Sequence, residues 1–199
     1  MADTKFSALT AVTTPATTDE FAVNQGGTSK KITAEQIRLF AVAPSNYSTA
    51  SQAITANTVT YLTGSGVLIP TGGIVVGQVY RWYIGVSKTN AGTATPIWTP
   101  RIGSAQTTAD TTVLTITGTA QVATTSGTLI VVICHVRTAS ATGVIVGSVN
   151  TGAASFGIGG NVVSGSFDTT GKAGQRFGLC VNSGASAAWT VNSVSGEIT

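Results

Sequence analysis

Residues 47–199 are cut into short apolar segments that recur about every ten residues, each closed by Gly or Asn. No stretch in this region holds the 3.6-residue apolar period of a three-turn helix. A chain divided in this way buries its apolar groups by stacking short strands in two layers. The expected strands cover residues 59–62, 67–69, 79–86, 97–102, 112–117, 128–137, 144–149, 156–163, 177–181 and 188–194. Turn residues fill the gaps between them, among them Asn90-Ala91-Gly92, Gly118, Gly127, Gly143, Gly152, Gly159-Gly160 and Gly171. The expected fold is all-β, a jelly-roll-like antiparallel β-sandwich.

Alternation along the strands predicts their faces. In residues 79–86, Tyr80, Trp82, Ile84 and Val86 share one face, which is expected to be core, and Arg81, Tyr83 and Gly85 share the other. Residues 129–137, Leu-Ile-Val-Val-Ile-Cys-His-Val-Arg, are apolar on both faces. That pattern predicts a central strand buried on both sides, its outer face covered by another subunit.

The N-terminal part reads differently. Residues 1–18 are Thr/Ala-rich and contain Pro15, which predicts an extended arm. Phe21 and Val23 alternate with Ala22 and Asn24 as in a short strand. Gly26-Gly27 suits a tight hairpin turn, and residues 29–32 form the returning strand. Thr33 and Gln36 match a capping box, with Ile32 and Ile37 as its hydrophobic staple, and the helix ends before Pro44. A lone hairpin and a helix of about eight residues are each marginal in water. This ββα unit, residues 19–43, is therefore expected to dock on something larger. Pro44-Ser45-Asn46 is the expected hinge, which divides the chain into residues 1–43 and 44–199.

The runs Phe6-Ser7-Ala8-Leu9-Thr10-Ala11 and Asp19-Glu20-Phe21-Ala22-Val23-Asn24-Gln25-Gly26-Gly27-Thr28-Ser29-Lys30-Lys31-Ile32-Thr33 carry a resemblance. They are similar to the N-terminal segment of tailed-bacteriophage virion proteins, where it precedes varied C-terminal domains in decoration proteins, head fibres and tail fibres. A second resemblance covers most of residues 58–199. Residues 80–86, Ala94-Thr95-Pro96-Ile97-Trp98-Thr99-Pro100-Arg101-Ile102-Gly103, Asp110-Thr111 and Ala187-Ala188-Trp189-Thr190-Val191 look like a β-domain of phage fibre and decoration proteins. Together the two resemblances imply a virion structural protein.

Only 9% of the 199 residues are charged, against about 25% in an average soluble protein. A surface so poor in charge fits one covered by neighbours in an assembly. Residues 1–43 hold four acids and four bases, so the net +3 comes from residues 44–199. The bases there, Arg81, Lys88, Arg101, Arg137, Lys172 and Arg176, are scattered singly, which argues against nucleic-acid binding. The longest apolar run, residues 129–134, is far short of the roughly 20 residues of a membrane helix. Residues 1–5 lack the apolar run of a signal peptide, so synthesis in the host cytoplasm is expected.

Catalytic chemistry has little to draw on. The single histidine, His135, sits in the most apolar strand, where a structural or interface role is expected. Asp110, Asp168 and Glu197 are the only acids of residues 44–199, too few to expect a glycosidase carboxylate pair. No G-x-S-x-G elbow and no C-x-x-C is present. Cys134 and Cys180 are expected as buried free thiols. No enzyme activity, cofactor or metal is expected, although Asp110 and Asp168 are the residues a Ca²⁺ ion would use.

The expectation is a capsid decoration protein of the cement or head-fibre type on the virion surface. It would dock on the major capsid protein, or another virion protein, through Phe6, Leu9, Phe21, Val23, Ile37 and Phe40, and form a homotrimer through its β-domain. The alternative is a tail-fibre or baseplate-associated subunit whose β-domain touches host glycans. Tyr83, Trp98 and Trp189, with Tyr61, are its sugar-stacking candidates.

Overall fold

The computed structural model describes residue 16 and residues 20–25, 27–33, 45–88, 94–118, 125–151, 159–185 and 189–199. The chain divides into two compact units, Met1–Ala43 and Pro44–Thr199. The expected arm, Ala16 apart, and the helix expected after Thr33 lie outside the described residues.

In the first unit, β1 (Glu20–Gln25) and β2 (Thr28–Thr33) pair antiparallel, with Phe21 opposite Ile32 and Gln25 opposite Thr28. Gly27 has a φ of 79°, the left-handed conformation that a tight hairpin turn asks of glycine. An ion pair of 2.6 Å joins Glu20 to Lys31, but both side chains are largely in water, so it adds little stability. Phe21 is 43% exposed.

The second unit is an all-antiparallel sandwich. The long sheet has the order β13-β12-β11-β7-β15-β3, with β4 also on β15. Its strands are β3 (Ser45–Ser48), β4 (Gln52–Ile54), β7 (Val79–Lys88), β11 (Thr125–Thr138), β12 (Val144–Thr151), β13 (Gly159–Val163) and β15 (Trp189–Ile198). The short sheet has the order β10-β8-β14-β5, with β6 on β14 and β9 on β8. Its strands are β5 (Thr60–Tyr61), β6 (Val67–Leu68), β8 (Ile97–Gly103), β9 (Thr111–Thr112), β10 (Ile116–Thr117) and β14 (Arg176–Asn182). From β3 to β15 the chain crosses from one sheet to the other at six of its twelve connections. The first and last strands, β3 and β15, are neighbours in the long sheet, while β5 and β14, and then β14 and β8, are neighbours in the short one. That winding is a jelly roll, extended by the β12–β13 hairpin. No helix occurs among the described residues.

The core lies between β7 and β14. Tyr80, Trp82, Ile84 and Val86 face inward as their alternation predicts, each at most 1% exposed. Lys88 ends that inward row and is buried as well. Phe177 of β14 packs edge-on against Tyr80 at 4.6 Å and Trp82 at 5.3 Å between ring centroids. Ser65, fully buried, ties the layers together. Its carbonyl accepts the Trp82 indole N–H at 2.7 Å, while its hydroxyl donates to the Leu62 carbonyl at 2.6 Å and accepts the Leu179 N–H at 3.0 Å.

Two expectations need correction. The hinge is not at Ser45-Asn46, because both residues belong to β3 and pair with Gly196 and Glu197 of β15. The strand expected over residues 112–117 is two strands, β9 and β10, separated by Val113, Leu114 and Thr115. Pro100 supplies the reason. Its carbonyl accepts the Val113 N–H at 2.9 Å, so its missing donor faces this neighbour and the ladder cannot run on past it. Of the strand expected over residues 156–163, β13 (Gly159–Val163) is described and residues 156–158 lie outside the described residues. In residues 129–137, Ile130, Val132, Cys134 and Val136 are buried, whereas on the other face Leu129 is 50% exposed and His135 is exposed.

Ser65→Ala leaves the Leu179 N–H buried without its acceptor, which costs about 1–3 kcal/mol. A urea titration is expected to show a lower midpoint at unchanged slope. An unchanged midpoint would contradict the bridging role of this hydroxyl.

Candidate functional site

The two sheets treat their outer faces differently. Behind the short sheet, the outward residues of β14 and β8 are covered by the chain itself. Gly178 leaves room for the Tyr61 ring, whose hydroxyl occupies the space a methyl group there would need, and Gly103 leaves room for the Asp110 carboxyl in the same way. Arg101 donates to the carbonyls of Thr108 at 2.6 Å and Asp110 at 2.8 Å, and Asp110 Oδ1 accepts the Ala105 N–H at 3.2 Å. These bonds hold the loop of residues 104–110 over the sheet. Burial pushes the Tyr61 phenol up from 10.0 to about 12 and the Cys180 thiol up from 9.0 to about 11.

The outer face of the long sheet has no such cover among the described residues. Register aligns its side chains in rows across the strands. One row runs Asn150, Val131, Tyr83, Ser195, Tyr47, and the next runs Ser148, Ile133, Arg81, Glu197, Ser45. A third joins Val163, Val146, His135 and Val79. Leu129, Val131, Ile133, Val146 and Val163 thus form an aliphatic area on β11–β13, and Leu129 and Val163 are 50% and 53% exposed. The β7–β15–β3 side is polar and aromatic. There the Tyr83 hydroxyl donates to Glu197 Oε1 at 3.2 Å, Arg81 lies 4.0 Å from the same oxygen, and Tyr47 is 75% exposed.

The expected site residues scatter. Trp98 and Trp189, 1% and 2% exposed, stack in the core with ring centroids 5.6 Å apart and are not a sugar platform. They lie on inward positions of β8 and β15, where each buries its ring against the other layer. Tyr83 lies on the outer face of the long sheet and Tyr61 behind the short one, so the four aromatics do not converge. Phe21 is exposed on β1 and Val23 is in the same strand, while Phe6, Leu9, Ile37 and Phe40 lie outside the described residues.

His135 faces outward on β11, whereas Asp110 is buried behind the other sheet. Asp168 sits in an exposed turn, its carboxyl held below the usual carboxylate range by the Thr170 hydroxyl and amide. These groups do not meet. Among the described residues no three His, Cys, Asp or Glu side chains cluster in a metal-binding arrangement. Cys134 and Cys180 are both buried free thiols. Sequence reasoning missed the Arg101–Asp110 clamp and the exposed Tyr47. The first leaves only glycines at positions 103 and 178 as a signal, and the second sits in a strand too polar to be noticed.

Tyr61 and Cys180 are acids whose folded state holds the proton more tightly than the unfolded state does. Their contribution to stability is complete below about pH 9 and is lost as pH climbs from there toward 12. Urea midpoints are expected to fall across that window, and Tyr61→Phe flattens the part above pH 10. A midpoint that rises with pH there, or a slope untouched by Tyr61→Phe, would contradict this. Neither thiol is expected to react with an aromatic disulfide reagent at neutral pH until the chain is unfolded.

No family model matches the chain, and no curated protein matches it. The crystal structure of a protein of unknown function from Shewanella oneidensis MR-1 is similar over 84% of this chain and 94% of that one, with 7% identity and a TM-score of 0.32. Those values carry neither fold nor function across.

Proposed function

We propose that this chain is a decoration protein of a tailed-bacteriophage capsid, docked through residues 1–43 and associated with copies of itself through its jelly roll. The observation that carries this reading is the hairpin β1–β2. The segment that resembles virion docking segments folds into two strands that leave Phe21 43% exposed. So small a unit cannot stabilise itself by burial, and an apolar ring held out from it suits docking on a larger surface. The jelly roll behind it is a fold that capsid-type proteins use.

The role is mechanical. Each docked segment adds buried area across subunit boundaries, so a shell that opens must also strip the segment away. The alternative, a tail-fibre or baseplate subunit that touches glycans, loses its aromatic floor because Trp98 and Trp189 are buried.

Removal of residues 1–43 is expected to leave a folded β-domain that no longer sediments with purified capsids. Phe21→Asp in the full chain is expected to weaken capsid binding by about tenfold or more, as loss of an interface anchor does. Undiminished binding of the truncated chain would overturn the anchor assignment.

A further inference from the structure

We propose that the outer face of the long sheet is where two copies of this chain pair, sheet against sheet. The inference deepens the self-association proposed above and does not depend on the capsid assignment. Three observations lead to it.

The first is continuity. Leu129, Val131 and Ile133 succeed one another on one face of β11. Val146 stands opposite His135 on β12, and Val163 stands opposite Val146 on β13. Asn150 and Ser148 stand beside Val131 and Ile133 on β12, so the apolar residues form a stripe along β11 that meets Val146 and Val163 diagonally, and exposed apolar area of this kind marks interaction surfaces.

The second is size. Six strands about 4.8 Å apart, each giving about seven residues at about 3.4 Å, make a face of roughly 600 Å² before side-chain relief. A stable interface takes about 800 Å² from each partner. The whole face comes near that figure, and the aliphatic half alone falls well short of it. A partner of matching flatness and extent is needed, and the same face of a second copy is one.

The third is charge. In the polar half Arg81 is set against Glu197 of its own chain, so this half presents no lone acid or base to recruit an oppositely charged partner. Arg137 falls near the end of β11, at the rim of the face, where charges stay in water, and His135 shares the row of Val146 and Val163. The branched aliphatic carbons of the other half offer a sugar no ring to stack on. A second copy matches aliphatic half to aliphatic half about a two-fold axis, which makes the contact isologous. The packing is that of two sheets about 10 Å apart, as inside the sandwich itself. The short sheet cannot serve in the same way, because Tyr61 and the loop of residues 104–110 already cover it.

The pairing is two-fold, whereas the sequence led to the expectation of a trimer, so mass decides between them. Sedimentation equilibrium of the full chain across micromolar concentrations is expected to give twice the 20.0 kDa chain mass. Leu129→Asp and Ile133→Asp each weaken association by about tenfold or more. Far-UV circular dichroism and the urea midpoint check that these variants remain folded. Leu68→Asp, which changes a residue 43% exposed on β6 of the short sheet, is expected to leave the mass unchanged.

A monomeric wild type overturns self-association itself. A trimer overturns the two-fold pairing. A dimer indifferent to both β11 substitutions, or one dissociated by Leu68→Asp as well, overturns the choice of face. No capsid enters this measurement, so its failure and failure of the capsid reading are read separately.

Discussion

The contact of Phe177 with Tyr80 and Trp82 fixes the separation and registry of the two layers. β7 and β14 are interior strands of their sheets, and every other strand of the jelly roll is placed by pairing outward from them. Edge-on aromatic contacts add about 0.5–1.5 kcal/mol each beyond the area they bury. They also demand polar partners, and Ser65 meets that demand by taking the Trp82 indole proton and the Leu179 amide together. Trp98 and Trp189 repeat the arrangement on β8 and β15. With all its large inward aromatics committed to joining the layers, the chain keeps no indole for its surface.

That commitment leaves the outer faces to be settled by smaller residues, and they settle differently. Behind the short sheet, Gly103 and Gly178 admit Asp110 and Tyr61, and Arg101 closes the loop over them. On the long sheet, Val131, Ile133 and Val146 stand at the corresponding outward positions with no segment of the described chain laid over them. One face is covered by the chain itself, and the other has no cover among the described residues.

Much of the architecture was legible in the sequence. Strict alternation in β7 gave its core face residue by residue, and the turn spacing gave the sandwich. β3 and β4 were not legible, because Ser-Asn-Tyr-Ser and Gln-Ala-Ile carry no strand pattern and owe their conformation to backbone pairing with β15. β11 was half legible. Apolar residues on both faces announce burial but cannot distinguish a face covered by the same chain from one awaiting another. The tryptophans posed the same ambiguity, since a lone aromatic in a strand reads as core or as surface until the strand's orientation is known. The Arg101–Asp110–Tyr61 cluster draws on β5 and on β8 with the loop that follows it, and only the topology brings Tyr61 to the other two.

The account's central claim is decoration, and copy number tests it most directly. Quantitative mass spectrometry of purified particles would give the molar ratio of this chain to the major capsid protein. The account predicts a ratio of the same order as the capsid subunits themselves, one copy for each subunit or for each few. A handful of copies per particle would contradict it and move the chain to the tail.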